Sequence, residues 1–250
     1  MLVQLPNGLI DGSDHFTHVE IGELLGKHQN YLADKELIDN NIGHIEKLIS
    51  ELVLSVQTPQ GLKWKGDKKE LPWKLTASDI ETILIKIREN TYGGSYYFDA
   101  NCTHCEKLNK DIKVDLSKLE MEHISLEEIL TPKVVMLPKA QKEAEMKPLY
   151  LNDFFEILKV TKGTGKTLFT SIASLVVKRI GDNSNITEKD IGELSVKDIK
   201  CLQESTEKMK LEGTIDSEVE HTCKHCSKDF NTKLNVFHPS FFDPSRDTPT

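Results

Sequence analysis

The sequence FDANCTHCEKLNKDIKVDL, residues 98–116, places a C-x-x-C motif between two stretches in which apolar and polar residues alternate. Alternation on both sides of the cysteines predicts a β-strand, a tight cysteine turn and a second strand. The sequence VEHTCKHC, residues 219–226, repeats the first part of this pattern. We call each C-x-x-C turn a cysteine knuckle. The sequence therefore predicts two β-hairpins, each with a knuckle at its tip.

The four knuckle cysteines have the residue type and spacing of zinc ligands. Cys102 and Cys105 form the first pair, and Cys223 and Cys226 form the second. Two C-x-x-C turns can supply four thiolates to one tetrahedral Zn²⁺, and a site closed by four thiolates is structural because no position is left for water. We predict one structural zinc ion per chain. The pairs are far apart in sequence, so separate metal sites or two disulfides remain alternatives.

Three other residues near this chemistry are predicted to have no ligand role. His104 and His225 each precede the second cysteine of a pair, and we expect both to be exposed because four thiolates already complete a site. Cys201 lies beside Leu202 in a helical stretch, which favours a small buried hydrophobic residue over a reactive thiol.

Outside the knuckles, apolar residues recur mainly at helical spacing. A stripe from about Asn40 to Val56 predicts one helix. The sequence Thr76-x-x-Asp79 is a variant capping box, which predicts that a second helix begins there. Two further helices are predicted at about residues 151–158 and 168–180. The first residues, LVQLPNGLIDGSDHF, predict a short strand or an extended arm.

These patterns predict an α+β fold that is mostly helical, with the two knuckle hairpins joined as a split zinc ribbon. Residues 1–130 would form an N-terminal helical half with the first hairpin. Residues 131–150 contain three prolines and a charged middle, which is typical of a linker or an exposed excursion. Residues 151–250 would form a C-terminal helical half with the second hairpin and an aromatic tail. We expect zinc to clamp the halves into one compact unit.

The charge balance argues against general nucleic-acid binding. The chain has 32 basic and 40 acidic residues, a formal net charge of −8, and its only arginines are Arg88, Arg179 and Arg246. Bidentate binding of phosphate is mostly the work of arginine. A zinc-ribbon nucleic-acid-binding protein is the alternative function, but it requires a basic, aromatic face near the knuckles, and their flanks mix acids with lysines. We therefore expect no nucleic-acid partner.

The sequence shows no sign of a membrane span or of secretion. No window approaches the roughly 20 apolar residues that a membrane-spanning helix requires. The first residues, MLVQLPNGLIDG, have neither the basic region nor the apolar region of a signal peptide. We expect a soluble protein that is not secreted.

No motif predicts catalysis. The sequence VTKGTGKT, Val160 to Thr167, imitates a phosphate-binding loop, but Val160 stands where that motif requires glycine. The preceding residues predict a helix, whereas the motif requires a strand, so the glycines are better explained by an interhelical turn. No carboxylate pair and no Ser, His and Asp set marks an active site. We predict no catalytic residues and no enzymatic activity.

The C-terminal sequence VFHPSFFDPSRDTPT places three phenylalanines, Phe237, Phe241 and Phe242, among prolines. The prolines rule out a continuous helix or a central strand. The rings could fold back into the core, or they could bind a partner protein, because aromatic residues are favoured anchors at interfaces. Both alternatives stay open at this point.

The order of these segments resembles the T4-type bacteriophage baseplate protein family. The resemblance rests on the opening LPNGL, the helix end RENTYG, the first knuckle hairpin, and the second CKHC hairpin that ends in FHPSFFDP. It implies a non-enzymatic role in assembly of the central baseplate hub, as an assembly factor (chaperone) or as a hub subunit. It places Cys102, Cys105, Cys223 and Cys226 at the family's paired-cysteine positions.

The resemblance also implies partners and a location. The partners would be other phage baseplate or hub proteins. Apart from the resemblance, we expect a small homo- or hetero-oligomer, although a helix face for the core and one for a partner look alike in a single sequence. The protein would act in the host cytoplasm during assembly, and as a hub subunit it would stay in the tail baseplate of the virion.

Overall fold

The structure is a computed structural model that describes residues 1–39, 43–153, 173–209 and 211–248. The strands are β1 (Leu2–Asp11), β2 (Asp14–Ile21), β3 (Val53–Gln57), β4 (Ser95–Asn101), β5 (Leu108–Asp115), β6 (Met121–Glu122), β7 (Lys133–Leu137), β8 (Lys142–Met146), β9 (Val177–Ile180), β10 (Thr214–Ile215), β11 (Glu218–Thr222) and β12 (Asp229–Lys233). The helices are α1 (Gly26–Ala33), α2 (Lys35–Asp39), α3 (Gly43–Leu52), α4 (Leu71–Lys74), α5 (Ala77–Tyr92), α6 (Leu126–Leu130), α7 (Glu188–Gly192) and α8 (Val196–Lys208). Short 3₁₀ turns occupy Leu116–Lys118, Pro239–Phe242 and Pro244–Asp247.

The predicted mostly helical fold is wrong. The described residues contain five small sheets, and strands are as prominent as helices. The predicted split zinc ribbon is wrong as well, because the two knuckle hairpins, β4–β5 and β11–β12, are separate two-stranded sheets. The error has a physical cause: many strands are short and buried on one face only, so their apolar residues are few and also fit a helical spacing.

The N-terminal sheet has the antiparallel order β1-β2-β3. The pairing of β1 with β2 is interrupted between Gln4 and Leu9, and Gly8 lies within this irregular part with a φ of 76°. A Cβ at Gly8 would lie 2.7 Å from the carbonyl oxygen of Phe16, so the close approach of the two strands requires glycine. The sheet therefore contains the strand that the LPNGL sequence predicts, with a distortion that frees backbone N–H groups.

Helix α5 is the central buried helix and begins at the predicted capping box. The hydroxyl of Thr76 accepts the N–H of Asp79, and the carboxylate of Asp79 accepts the N–H of Thr76. Asp79 also accepts the N–H groups of Asn7 at 2.9 Å and Gly8 at 3.2 Å. Burial of Asp79 raises its pKa, although these hydrogen bonds favour the charged form. The helix start therefore also anchors β1.

Helix α8 repeats this arrangement. Ser195 caps the helix, and its hydroxyl accepts the N–H of Asp198 at 3.2 Å. The buried carboxylate of Asp198 accepts the N–H of Lys139 at 2.7 Å and that of Ala140 at 3.2 Å. The aspartate three residues after each cap thus fixes a distant segment of backbone.

Within the described ranges, the buried apolar residues form two cores. The first core combines β1–β3, α3, α5, both knuckle hairpins and the C-terminal segment. The second core combines β7, β8 and β9, which pair in that order, with α7 and α8. The stretch between Thr131 and Pro148 therefore contains the β7–β8 hairpin, whose residues Leu137 and Ala144 are fully buried in the second core. The division at residues 131–150 stays a prediction.

Two predicted helices are shorter than their apolar patterns suggested. Helix α3 ends at Leu52, and residues 53–57 form β3, where Val53 and Val56 are buried. The apolar residues of α3 and β3 fit a helical spacing as far as Val56 by coincidence. The β-branched side chains of Val53 and Val56 favour a strand. Residues 173–176 are helical, but Val177–Ile180 form β9. Of the helix predicted at residues 151–158, residues 151–153 are helical. The other residues of these two predicted helices, 154–158 and 168–172, and the GTGKT segment lie outside the described residues.

None of the described helices combines the length with the apolar composition that a membrane-spanning segment requires.

Candidate metal centre

The two knuckles have the same backbone geometry. In the first, the N–H of Cys102 donates to the carbonyl of Lys107 at 3.0 Å, and the N–H of Glu106 donates to the carbonyl of Cys102 at 2.8 Å. The matching bonds of the second knuckle are 2.9 Å, from Cys223 to Lys228, and 3.0 Å, from Ser227 to Cys223. Each bond pair closes a tight turn that directs both thiols of the motif to the same side.

The residue after each second cysteine has a left-handed backbone. Glu106 has a φ of 60° and Ser227 a φ of 57°. Residues other than glycine seldom adopt this conformation, and it costs about 1–2 kcal/mol. Because both knuckles have this conformation at the equivalent position, we attribute it to the geometry of the C-x-x-C turn and not to the type of residue found there. Sequence reasoning missed this feature because neither residue type signals a positive φ.

The fold brings the four predicted ligands together. Their sulfur atoms all lie within 4.8 Å of one another. The distance from Cys102 Sγ to Cys226 Sγ is 3.7 Å, and the distance from Cys105 Sγ to Cys223 Sγ is also 3.7 Å. All four cysteines are free thiols in the structure. The first cysteine of each knuckle therefore lies beside the second cysteine of the other.

These distances suit a tetrahedral metal site. A Zn–S bond of about 2.3 Å gives an S···S edge of about 3.8 Å in a regular tetrahedron. A disulfide requires about 2.05 Å, so the observed separations exclude S–S bonds between the knuckles and match the edge of such a tetrahedron. Cys102 and Cys223 are 1% exposed, whereas Cys105 and Cys226 are half-buried. The cluster could therefore hold a metal ion at the edge of the first core.

Backbone N–H groups point at the buried thiols. The N–H of His104 lies 3.4 Å from Cys102 Sγ, and that of His225 lies 3.3 Å from Cys223 Sγ. Burial opposes ionisation of Cys223, but the N–H donors of His225 and Cys226 and the side chain of Asn109 outweigh it and lower its pKa. A lowered thiol pKa favours the thiolate, which is the form that binds metal.

Cys226 shows the opposite shift. The N–H of Lys228 favours its thiolate, but burial and hydrogen bonds to the other three thiols outweigh that donor and raise the pKa. Four thiols so close together cannot all ionise without a compensating charge. A divalent cation would supply that charge.

Asn109 is a site residue that sequence reasoning missed. It is fully buried, and its Nδ2 lies 3.5 Å from Cys223 Sγ. Its Oδ1 accepts the N–H of Lys224 at 2.9 Å. Asn109 therefore joins the first hairpin to the second knuckle. A usable signal is the position of this polar residue three places before the buried Ile112, which breaks the apolar–polar alternation of the strand.

The histidines and Cys201 lie where they contribute no ligand. His104 and His225 are exposed, as predicted, and each ring points to the opposite hairpin. Cys201 lies on α8 beside the second core, where its thiol donates to the carbonyl of Met136 at 3.6 Å. It is not a member of the sulfur cluster.

The three C-terminal phenylalanines lie against the first core. Phe241 and Phe242 are fully buried, and Phe237 is half-buried. Phe241 contacts Tyr96 edge to face, with 5.0 Å between ring centroids. The guanidinium of Arg88 donates to the carbonyl of Phe241. Contact between this segment and a partner protein stays a prediction.

Comparison with known proteins identifies the family. A model of the family described as T4 bacteriophage base plate protein matches residues 24–243. The matched range includes all four knuckle cysteines and the segment that carries Phe241 and Phe242. A search of curated proteins and a search of solved structures found no match. Because the family match covers most of the chain, this chain belongs to the T4 bacteriophage base plate protein family.

Proposed function

We propose that this chain acts in assembly of the central hub of the phage base plate, either as an assembly factor or as a hub subunit. Membership of the base plate family supports a role in the phage base plate. The resemblance of the LPNGL opening and the two knuckle hairpins to hub-assembly proteins supports the hub in particular. Its partners would be other base plate or hub proteins. Its location would be the host cytoplasm during assembly, and the virion base plate if it is a hub subunit.

We also propose that Cys102, Cys105, Cys223 and Cys226 bind one structural Zn²⁺ per chain. The observation that carries this proposal is the pair of 3.7 Å S···S distances between knuckles, which match a tetrahedral thiolate site. Zinc prefers four thiolates in structural sites, and its charge would offset theirs. The ion would fasten the hairpin of residues 95–115 to that of residues 218–233.

A non-enzymatic role is part of the proposal. Four thiolates would fill the coordination sphere of the ion, so no position would be left for a substrate or an activated water. The contribution of the ion would be to stability and to the shape of the surface around the knuckles. For a structural zinc site the apparent binding energy that is coupled to folding is on the order of 10 kcal/mol at neutral pH.

Elemental analysis of protein purified under reducing conditions tests the zinc site. We expect one zinc per chain in the wild type and in Cys201→Ser, which removes a cysteine outside the cluster. We expect little or no zinc in Cys223→Ser. A wild-type protein with no zinc, or with two, would contradict the proposed site.

Complementation of a phage that lacks this gene tests the proposed role. Without the protein, electron microscopy should show base plates arrested before the hub is complete, and the wild-type gene should restore tails. Mass spectrometry of purified tails then separates a hub subunit, which stays, from an assembly factor, which leaves. Normal tails in the absence of the gene would contradict both forms of the proposal.

A further inference from the structure

The two knuckle histidines form a reciprocal pair of hydrogen bonds between the hairpins. His104 Nε2, in the first knuckle, lies 3.0 Å from the carbonyl oxygen of Asp229, which begins β12. His225 Nε2, in the second knuckle, lies 3.0 Å from the carbonyl oxygen of Leu108, which begins β5. Each histidine therefore reaches the strand that leaves the opposite knuckle.

The chemistry of the acceptors fixes the direction of both bonds. A carbonyl oxygen can only accept, so Nε2 must carry the proton and donate in both rings. The backbone N–H groups of the same residues lie against Cys102 Sγ and Cys223 Sγ. Each histidine thus contacts a sulfur of its own knuckle through the main chain and holds the other hairpin through its side chain.

Both histidine bonds oppose separation of the two knuckles. Any movement that separates the knuckles lengthens both bonds at once, together with the two 3.7 Å S···S separations. Further hydrogen bonds between the hairpins are one-sided: the N–H of Lys224 donates to Asn109 Oδ1, Asn109 Nδ2 donates to Cys223 Sγ, and Lys224 Nζ donates to the carbonyl of Lys110. The histidine pair is therefore a symmetric connection across the cluster, as the pair of sulfur contacts is.

We propose that His104 and His225 are positioning residues that hold the two knuckles at metal-binding separation before the ion arrives. This inference rests on the proposed zinc site. A preformed site binds its ion more tightly because less conformational freedom is lost on binding. The histidines contribute no ligand atom. Mutation of a residue that hydrogen-bonds a metal ligand typically costs about 10- to 100-fold in metal affinity, and we expect a smaller cost for side chains that hold the opposite hairpin.

Competition with a chromogenic chelator tests the proposal, with the zinc dissociation constant as its readout. The variants are His104→Ala, His225→Ala, and the matched pair His104→Gln and His225→Gln, in which the amide nitrogen can replace the Nε2–H donor. Thr103→Ala is the control, because Thr103 is an exposed residue of the same knuckle. Stoichiometry and the thiolate-to-metal absorption of the cobalt(II) form show whether the four ligands remain intact.

We expect each alanine variant to bind one zinc with four thiolates, but with a dissociation constant raised by about two- to tenfold, the effect of one hydrogen bond. Each glutamine variant should stay within about twofold of the wild type. Alanine variants that match Thr103→Ala would overturn the proposal, as would glutamine variants as weak as the alanine variants. A wild type that binds no zinc would instead refute the metal site, and this inference with it.

Discussion

Asp79 accepts the backbone N–H of Asn7 at 2.9 Å, which joins the first strand to the start of the central helix α5. The side chain of Asn7 completes the junction. Its Nδ2 donates to Thr76 Oγ1 at 2.9 Å and to the carbonyl of Gly213 at 3.1 Å. Its Oδ1 accepts the N–H of Gly213 at 2.7 Å. One buried asparagine therefore connects the N-terminal strand, the helix cap and the chain that enters the second hairpin.

We predict that Asn7→Ala lowers the free energy of unfolding by about 2–4 kcal/mol, because it leaves buried backbone groups of Gly213 without partners. Urea denaturation measures the change. Gln4→Ala is the matched control, since Gln4 is an exposed residue of the same strand, and it should change stability by less than about 0.5 kcal/mol. Equal effects of the two substitutions would show that the junction contributes no special stability.

Glu212 should make stability depend on pH. Burial, followed by the negative charges of Asp79 and Glu81, raises its pKa to about 8, although Ser78 and Lys233 act in the opposite direction. Its Oε2 is buried and has no hydrogen-bond partner among the described residues. Because the pKa in the folded state exceeds the ordinary value of 4.5, the folded protein binds this proton more tightly than the unfolded chain does. The contribution of Glu212 to stability therefore falls as the pH rises from about 4.5 to about 8.

We predict that Glu212→Gln removes the loss of stability that Glu212 causes as the pH rises. The variant and the wild type should have similar free energies of unfolding at pH 5, and the variant should be more stable by about 1–3 kcal/mol at pH 8. The test is urea denaturation of both proteins across this range, since the difference between them cancels the pH dependence of the other groups. Glu120→Gln removes an exposed carboxylate, and its difference from the wild type should not vary with pH. A constant difference for Glu212→Gln would refute the assignment.

Arg88 fastens the C-terminal segment to α5. It is fully buried, donates to the carbonyls of Phe241 and Asp243, and forms an ion pair with Asp247. Its guanidinium also lies 4.5 Å from the ring centroid of Tyr96. The planar guanidinium makes these contacts together, and the smaller ammonium of lysine cannot reproduce them.

We predict that Arg88→Lys lowers the free energy of unfolding by about 2–4 kcal/mol and speeds hydrogen exchange in residues 239–247. Exchange mass spectrometry locates the effect. Arg246→Lys is the control, because Arg246 is partly exposed and its ion pair with Asp99 is 3.5 Å long. That control should change stability by at most about 1 kcal/mol. Unchanged exchange in Arg88→Lys would mean that the aromatic contacts alone hold the segment.

Local sequence signals predicted the parts of this protein whose geometry is set by a few adjacent residues. The Thr76-x-x-Asp79 box marks the start of α5, and alternation around the cysteines marks both hairpins. The cluster of four sulfurs also followed from the sequence, because C-x-x-C turns are strongly typical of metal sites.

Features that depend on distant contacts could not be predicted in this way. The hydrogen bond from the N–H of Asn7 to Asp79 joins residues 72 positions apart, and no local pattern reveals it. The apolar pattern of β3 predicts the end of a helix, because five residues with two buried valines fit either period. Each knuckle histidine also bonds the opposite hairpin through its ring. That bond depends on how the two hairpins pack, so the prediction that both histidines are exposed did not identify their partners.

We predict that a negative charge at Asn109 weakens metal binding. Its Nδ2 lies 3.5 Å from Cys223 Sγ, and its Oδ1 accepts the N–H of Lys224. Asn109→Asp keeps an oxygen acceptor but removes the N–H donor and places a negative charge beside four thiolates. On the proposed zinc site, we expect the zinc dissociation constant to rise by at least about tenfold, measured by chelator competition. Asn101→Asp makes the same chemical change at an exposed position of β4 and should leave the constant within about twofold of the wild type. If both variants weaken zinc binding equally, general negative charge explains the effect, and the buried contact between Asn109 and Cys223 does not.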